Sequence, residues 1–416
     1  MVREVPRQTD TTRTTAHPGK IFMIHGVRSV WEPLQRAIDT GTRSLTLKMA
    51  VCFGCIAGLL LSPKLWLTSR SYPLVPVFDK LPAIRRPIDY LLLAALAVLL
   101  ALIAFLPRSI KFIFAFLVLA VYLCLADQSR LQPWFYQYCV LLAACAVYRE
   151  NKTKLLNTAC LLIAMVYFWS GVQKIGVGFV DRVFPAVINP YLNTLFGRPT
   201  ALPRPLIAAL PVLEVLIGIG LLTRRFRNIS VLLAVLMHVS ILLLLIPLRL
   251  NTVIWPWNVG MLVVVVALFW RRHDVSMSDL LVPREARFQL IVLILFGALP
   301  LLSFFNLWDS YLSASLYSGD FPVAVIRFND RVREGLPPAV QDYVENGNGE
   351  WSINPMKWSL RELNVPAYPE PRVFKRIGKS VCAVADDPSD VRLTIYSKPH
   401  RLTGERIATT YSCGEL

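Results

Sequence analysis

The sequence predicts an all-α polytopic membrane helix bundle of about nine spans, followed by a small mixed α/β extramembrane domain. Three observations carry this. Nine stretches are close to the ~17–25 apolar residues that a helix needs to cross hydrocarbon. The composition is 55% hydrophobic and 17% charged, against ~25% charged residues in an average soluble domain. Lysines and arginines gather at the ends of the apolar stretches, where membrane proteins keep them. The formal net charge of +17 would point to nucleic acid if it formed a stripe on a soluble fold. Spread over segment ends it does not, and no nucleic-acid partner is expected.

Residues 1–45 form a basic N-terminal segment without a long apolar run, so no cleavable leader is expected and the first span should act as a signal anchor. The expected spans are 46–63, 88–107, 109–126, 134–149, 154–173, 206–223, 228–247, 252–270 and 287–307. The fourth opens at Pro133, a residue suited to a first helical turn. The loops 64–87 and 174–205 are long and rich in proline and aromatics, which suits re-entrant, interfacial or functional segments. Basic turns at Arg149–Lys154, Arg224–Arg227 and Arg271–Arg287 fall on the same side as the N-terminus if nine spans are present. By the positive-inside rule that side is cytoplasmic. Residues 46–307 are then the transmembrane domain of a multi-pass cell-membrane protein. Residues 308–416 are a periplasmic or lumenal domain, with helix and loop at Pro338–Glu345 and Trp351–Leu363 and a strand at Val391–Ser397.

Six cysteines (Cys52, Cys55, Cys124, Cys139, Cys145 and Cys160) lie in or beside apolar stretches and read as small buried hydrophobes. No metal-ligand spacing is present, so no metal is expected. Cys382 and Cys413 stand apart in the polar tail and could form a disulfide if the tail lies on an oxidising side.

Ionisable side chains inside a membrane are costly and mark candidate functional sites. Lys174 ends the fifth span. A lysine able to shed its proton can act as a general base; the alternative is an ammonium snorkelling to the headgroups. Glu214 lies mid-depth in the sixth span, too short to snorkel, and must be protonated, paired or facing a polar cavity. His238 lies at similar depth in the seventh span, where a packing histidine bonded across helices is the plainer reading. Asn258, one to two turns inside the eighth span, needs a partner. Trp255 suits an interfacial belt. Asp127, Gln128, Arg130, Gln132 and Gln137 gather around the turn between spans three and four, either as an ordinary polar turn or as part of a site. An outward-opening cavity with its floor near mid-membrane would join Asp127, Gln128, Arg130, Gln137, Glu214, His238 and Asn258 to Lys174.

The string Tyr167-Phe168-Trp169-Ser170-Gly171-Val172-Gln173-Lys174-Ile175 resembles the segment that carries the catalytic lysine of vitamin K-dependent gamma-carboxylases. Leu125-Ala126-Asp127-Gln128 leading into an aromatic-rich helix, Glu214, the basic turn Arg224–Arg227, His238 and Trp255-Pro256-Trp257-Asn258 resemble the same family. The chain is thus similar, over about residues 45–307, to the HTTM membrane domain shared by that carboxylase and many bacterial proteins. Its tail, with Glu362-Leu363-Asn364-Val365-Pro366-Ala367-Tyr368-Pro369-Glu370, resembles extensions of bacterial members. The resemblance implies a reduced, vitamin K-like quinone as cofactor, dioxygen as oxidant and Lys174 as the base that activates the hydroquinone, in carboxylase-like lyase chemistry on a protein or peptide substrate at the outer side. The histidine that the family carries in the helix after the Asp turn has no counterpart. Trp134, Phe135, Tyr136 and Gln137 occupy that stretch.

Three functions are therefore compared. The first is a quinol-linked enzyme using Lys174. The second is a non-enzymatic anchor or assembly module acting through the outer tail. The third is a transporter, ranked last because no internal repeat of the kind many transporters show is visible. Convergence of the polar residues separates the first from the second.

Overall fold

The computed structural model describes residues 38–82, 84–106, 109–249, 251–347 and 349–416. Most of the basic N-terminal segment lies outside these residues. The chain is mostly helical with a small antiparallel sheet. The apolar stretches form α1 (Thr40–Leu61), α2 (Ile88–Phe105), α3 (Ile110–Ala126), α4 (Pro133–Val147) and α5 (Lys152–Lys174). After the amphipathic α6 (Phe184–Phe196) come α7 (Arg204–Leu222), α8 (Arg227–Leu245), α9 (Ile254–Phe269) and α10 (Arg287–Phe305). Six of these, α1, α2, α5, α7, α8 and α10, are long and apolar enough to cross a membrane; α3, α4 and α9 are shorter apolar helices.

The helix ends follow local chemistry. Asp39 Oδ1 accepts from the Thr42 amide at 2.9 Å, and Asn151 Oδ1 accepts from the Lys154 amide at 2.9 Å. Each satisfies an amide that has no partner inside its helix. At the opposite ends, arginine does the same for carbonyls. Buried Arg227 donates to Leu221 O and Leu222 O at the end of α7, and Arg43 donates to Ala267 O and Trp270 O at the end of α9. A guanidinium there also complements the negative end of the helix dipole.

Helix α5 is the axis of the bundle. Leu155–Leu156 and every residue of Thr158–Tyr167 are buried, as expected of a helix apolar on all sides. Helices α1, α4, α7, α9 and α10 pack around it. Its closest partner is α7. A Cβ on Gly171 would stand 2.6 Å from the Val215 amide nitrogen, and one on Gly218 would stand 2.6 Å from the Phe168 amide nitrogen. Only glycine at both positions lets the two backbones approach this far, the small-residue packing that apolar helices use within membranes.

The tail forms a five-stranded antiparallel sheet in the order β2-β3-β1-β4-β5, from β1 (Val323–Phe328), β2 (Val344–Gly347), β3 (Glu350–Ile353), β4 (Val391–Tyr396) and β5 (Ala408–Ser412). Ala324, Ile326 and Phe328 alternate inward on β1, as period-two strands require, and Leu393 pairs with Ile326 on β4. The expected helix and loop at Trp351–Leu363 divides. Trp351–Ile353 belongs to β3, because the turn at Gly349 (φ 80°) returns the chain against β2. Helix begins only at α11 (Pro355–Leu363), where Asn354 caps and Pro355 occupies the first turn. Val373, Phe374, Ile377 and Val381 bury one stripe of α12 (Pro371–Cys382), whose last residue is disulfide-bonded to Cys413.

The tail is built into the bundle. Glu362 accepts from the amides of Ser71 and Tyr72, Gln132 Nε2 donates to Pro366 O, and Asn364 bonds Leu61 O and the Thr252 amide. Residues 38–416 form one compact unit.

Candidate functional site

Tyr167, Ser170 and Lys174 stand at i, i+3 and i+7 on α5, so they share one stripe of the helix. The glycine crossing presses that stripe against α7. Lys174 Nζ donates to Ser170 Oγ at 2.7 Å and to both Glu214 oxygens, Oε1 at 3.0 Å and Oε2 at 2.7 Å. The side chains remain 14% and 11% exposed, so the pair is shielded but not sealed. Glu214 therefore takes the second of the three options open to a mid-depth carboxyl: it is paired.

About two turns from Lys174 along α5, Tyr167 Oη lies 2.6 Å from His238 Nε2, and His238 Nδ1 lies 2.7 Å from Asn258 Oδ1. The direction of these bonds follows from Asn258. Its Nδ2 donates to Ile254 O at 2.7 Å, and a carbonyl can only accept, so Oδ1 faces the ring. Nδ1 then carries the proton, Nε2 holds a lone pair, and Tyr167 donates to it. Tyr167, His238 and Asn258 are all buried.

Lys174 and Glu214 thus form one bonded group and His238 and Asn258 another, each tied to the same stripe of α5. Tyr167 and Ser170 join them. Neither carries a charge that would single it out in an apolar run; their spacing from Lys174 was the available signal.

The turn residues go elsewhere. Asp127 pairs with Arg70 at 2.5 Å and stands 3.9 Å from Arg130 Nε. Burial alone would raise its carboxyl, but Arg70, Arg130 and the Ser129 amide outweigh that and hold it below the ordinary carboxylate range. The Arg130 guanidinium is spent on Leu65 O, Trp66 O and Leu123 O. Gln128 bonds Val75 O and Pro76 O and accepts from Arg372 Nε at 2.8 Å. This group fastens the 64–87 loop and the tail to the end of α3. Gln137 is buried on α4 with its Oε1 unpartnered. The expected single cavity resolves into a polar site between α5, α7, α8 and α9 and a separate structural knot.

The tail roofs the end of α5. Arg401 donates to Val172 O and Ile175 O at 3.0 Å and to Gln173 Oε1 at 3.1 Å, and its guanidinium covers the Phe304 ring. Asp320 sits beside it, buried, with both carboxylate oxygens lacking hydrogen-bond partners and Arg401 Nε 3.5 Å away.

Comparison with protein-family models, curated proteins and solved structures finds no match for this chain.

Proposed function

We propose that this chain is a nine-span HTTM-type membrane enzyme in which the Lys174–Glu214 pair accepts a proton from a hydroxyl-bearing, lipid-soluble compound of the reduced-quinone class. The observation that carries the reading is the pair itself. A buried ion pair contributes little net stability, because desolvation offsets its attraction. Here it lies between glycine-crossed helices, on the helix stripe that also carries Ser170 and Tyr167. A snorkelling lysine would turn to the headgroups; Lys174 turns back toward Ser170 and Glu214 instead.

The residues present fit an amphipathic ring. The pair and Ser170 offer a donor and acceptor set, while Ile175, Leu210 and Leu213 beside them are exposed and apolar. A reduced quinone bound there would supply ionisable ring hydroxyls and reducing equivalents for dioxygen. Nζ already donates in each of its bonds, so the pair acts as one acceptor. Glu214 takes a proton directly, or takes one from Lys174 and frees the amine.

Nine spans follow if the shorter helices α3, α4 and α9 also cross, helped by flanking residues held within the protein. The N-terminus is then cytoplasmic and the tail outside, where a disulfide persists. Reporter fusions at residues 20 and 400 should lie on opposite sides; one shared side would contradict the span count.

The test of function is Lys174→Arg in the native host. Guanidinium cannot be deprotonated in proteins, so the variant should insert normally and lose turnover or phenotype. Full activity would contradict the base role. It would favour the assembly reading, whose own support is the polar outer face of the sheet, a concavity of about 500 Å³ lined by Arg327, Glu350, Arg392, Thr394 and Thr410. In that case substitutions at Arg327 and Arg392 should carry the phenotype instead.

A further inference from the structure

We infer that Tyr167, His238 and Asn258 form a second proton-accepting path in this site, with Tyr167 as the group that meets the ligand's hydroxyl and His238 as the acceptor acting through it. The inference rests on the reading above and names which further residues serve it.

The hydrogen-bond order is fixed from the far end. Ile254 O orients the Asn258 amide, Asn258 Oδ1 holds the proton on His238 Nδ1, and the Nε2 lone pair is left to accept from Tyr167. Each partner sets the state of the next, as an orienting group does for a catalytic imidazole. A bond that only joined helices would need one donor and one acceptor. This series runs from α9 through α8 to α5 and ends on a phenol, whose oxygen donates to Nε2 and still has lone pairs with which to accept. Tyr167 shares its helix stripe with Ser170, one turn away, and Lys174, two turns away, which places that remaining capacity on the side of α5 that carries the pair.

The proton step balances without another reagent. Tyr167 Oη receives the hydroxyl proton as its own proton passes to His238 Nε2. The ligand oxygen keeps the electron pair, tyrosine is regenerated neutral, and the imidazolium keeps Nδ1–H on Asn258. The charged groups whose fields reach the ring are Glu214 and its partner Lys174. Two acceptors in one site, the ion pair and this path, suit a ligand with two ionisable hydroxyls.

The experiment uses the full chain in lipid nanodiscs and a 4-nitrophenol bearing a short alkyl chain, whose ionised form absorbs in the visible. The ionisation midpoint of the bound phenol is measured together with its affinity at low pH. His238→Gln and Tyr167→Phe should each raise the midpoint by about one pH unit, a tenfold fall in the ionised-to-neutral ratio, with low-pH affinity kept within about twofold. Asn258→Asp should move the midpoint the other way, because a carboxylate facing Nδ1 favours the imidazolium. Opposite signs from two neighbouring substitutions are not expected of a purely structural bond. If His238→Gln fails to accumulate, the sign for Asn258→Asp decides. Wild-type midpoints in His238→Gln and Asn258→Asp, with a shift in Lys174→Met, would overturn the path and leave the Lys174 reading standing. No saturable phenol binding, or binding and ionisation indifferent to Lys174→Met, would overturn both.

Discussion

Asp320→Asn should stabilise the folded tail near neutral pH, and the size of the gain should depend on pH. Asp320 is buried and both its carboxylate oxygens lack hydrogen-bond partners. Burial pushes its carboxyl up from an ordinary 3.8 to about 6, against the opposing charges of Arg401, Arg406, Lys398 and Arg182. Those cations are largely committed to carbonyls: Arg401 to Val172 and Ile175, Arg406 to Phe321 and Ser397, Lys398 to Ser303 and Arg182 to Gly404. Because folding raises this pKa, the fold favours the protonated form. Its contribution is fully present below about pH 4 and is lost as pH climbs through about 6. A difference of about two units corresponds to ~3 kcal/mol. Unfolding of detergent-solubilised wild type and Asp320→Asn, followed by fluorescence from pH 4 to 7.5, should show wild type losing stability relative to the variant as pH rises. A gap that stays constant with pH, or that widens in favour of wild type at high pH, would mean that Asp320 is not held protonated by the fold.

Asp127→Asn should cost about 3–5 kcal/mol, since it leaves Arg70 and Arg130 as buried charges without their carboxylate; unchanged thermal unfolding would show that the carbonyl bonds suffice. Gly218→Ala should cost about 1–3 kcal/mol by overpacking the crossing of α5 and α7, whereas Gly414→Ala, with open space around it, should unfold like wild type. Non-reducing peptide mapping should find Cys382 linked to Cys413, and Cys382→Ser should cost about 2–4 kcal/mol by releasing a constraint across 31 residues; free thiols in protein taken from its membrane would argue against the pairing.

The helices were legible because apolar runs are local. The stretches 88–107 and 109–126 became Ile88–Phe105 and Ile110–Ala126, and Lys152–Lys174 matched its run once the Asn151 cap was counted. The partners of the polar residues were less legible, because they come from far along the chain. Arg70 lies 57 residues before Asp127, and Arg372 lies 244 residues after Gln128. A turn rich in charge and amide could be read as an ordinary polar turn or as part of a site, and its contacts fasten the loop and the tail. Glu214 and His238 were found because charge and imidazole stand out in apolar sequence. Tyr167 and Ser170 were quoted only as part of the string leading to Lys174, and their partners needed the packing of α5 against α7 and α8. Arg43 and Arg227 carried the positive bias of their segment ends, but their caps on α9 and α7 needed the fold.

If the Lys174–Glu214 pair holds the polar head of a lipid-soluble, hydroxyl-bearing compound, that compound should leave the membrane with the protein. The most direct measurement is mass spectrometry of organic extracts from protein purified out of its native membrane, comparing wild type with Lys174→Met and Glu214→Gln. A quinone or related phenolic lipid should co-purify with wild type and be depleted at least tenfold in both variants, each being folded and inserted. A quinone retained equally by all three proteins, or only bulk phospholipid in wild type, would contradict it.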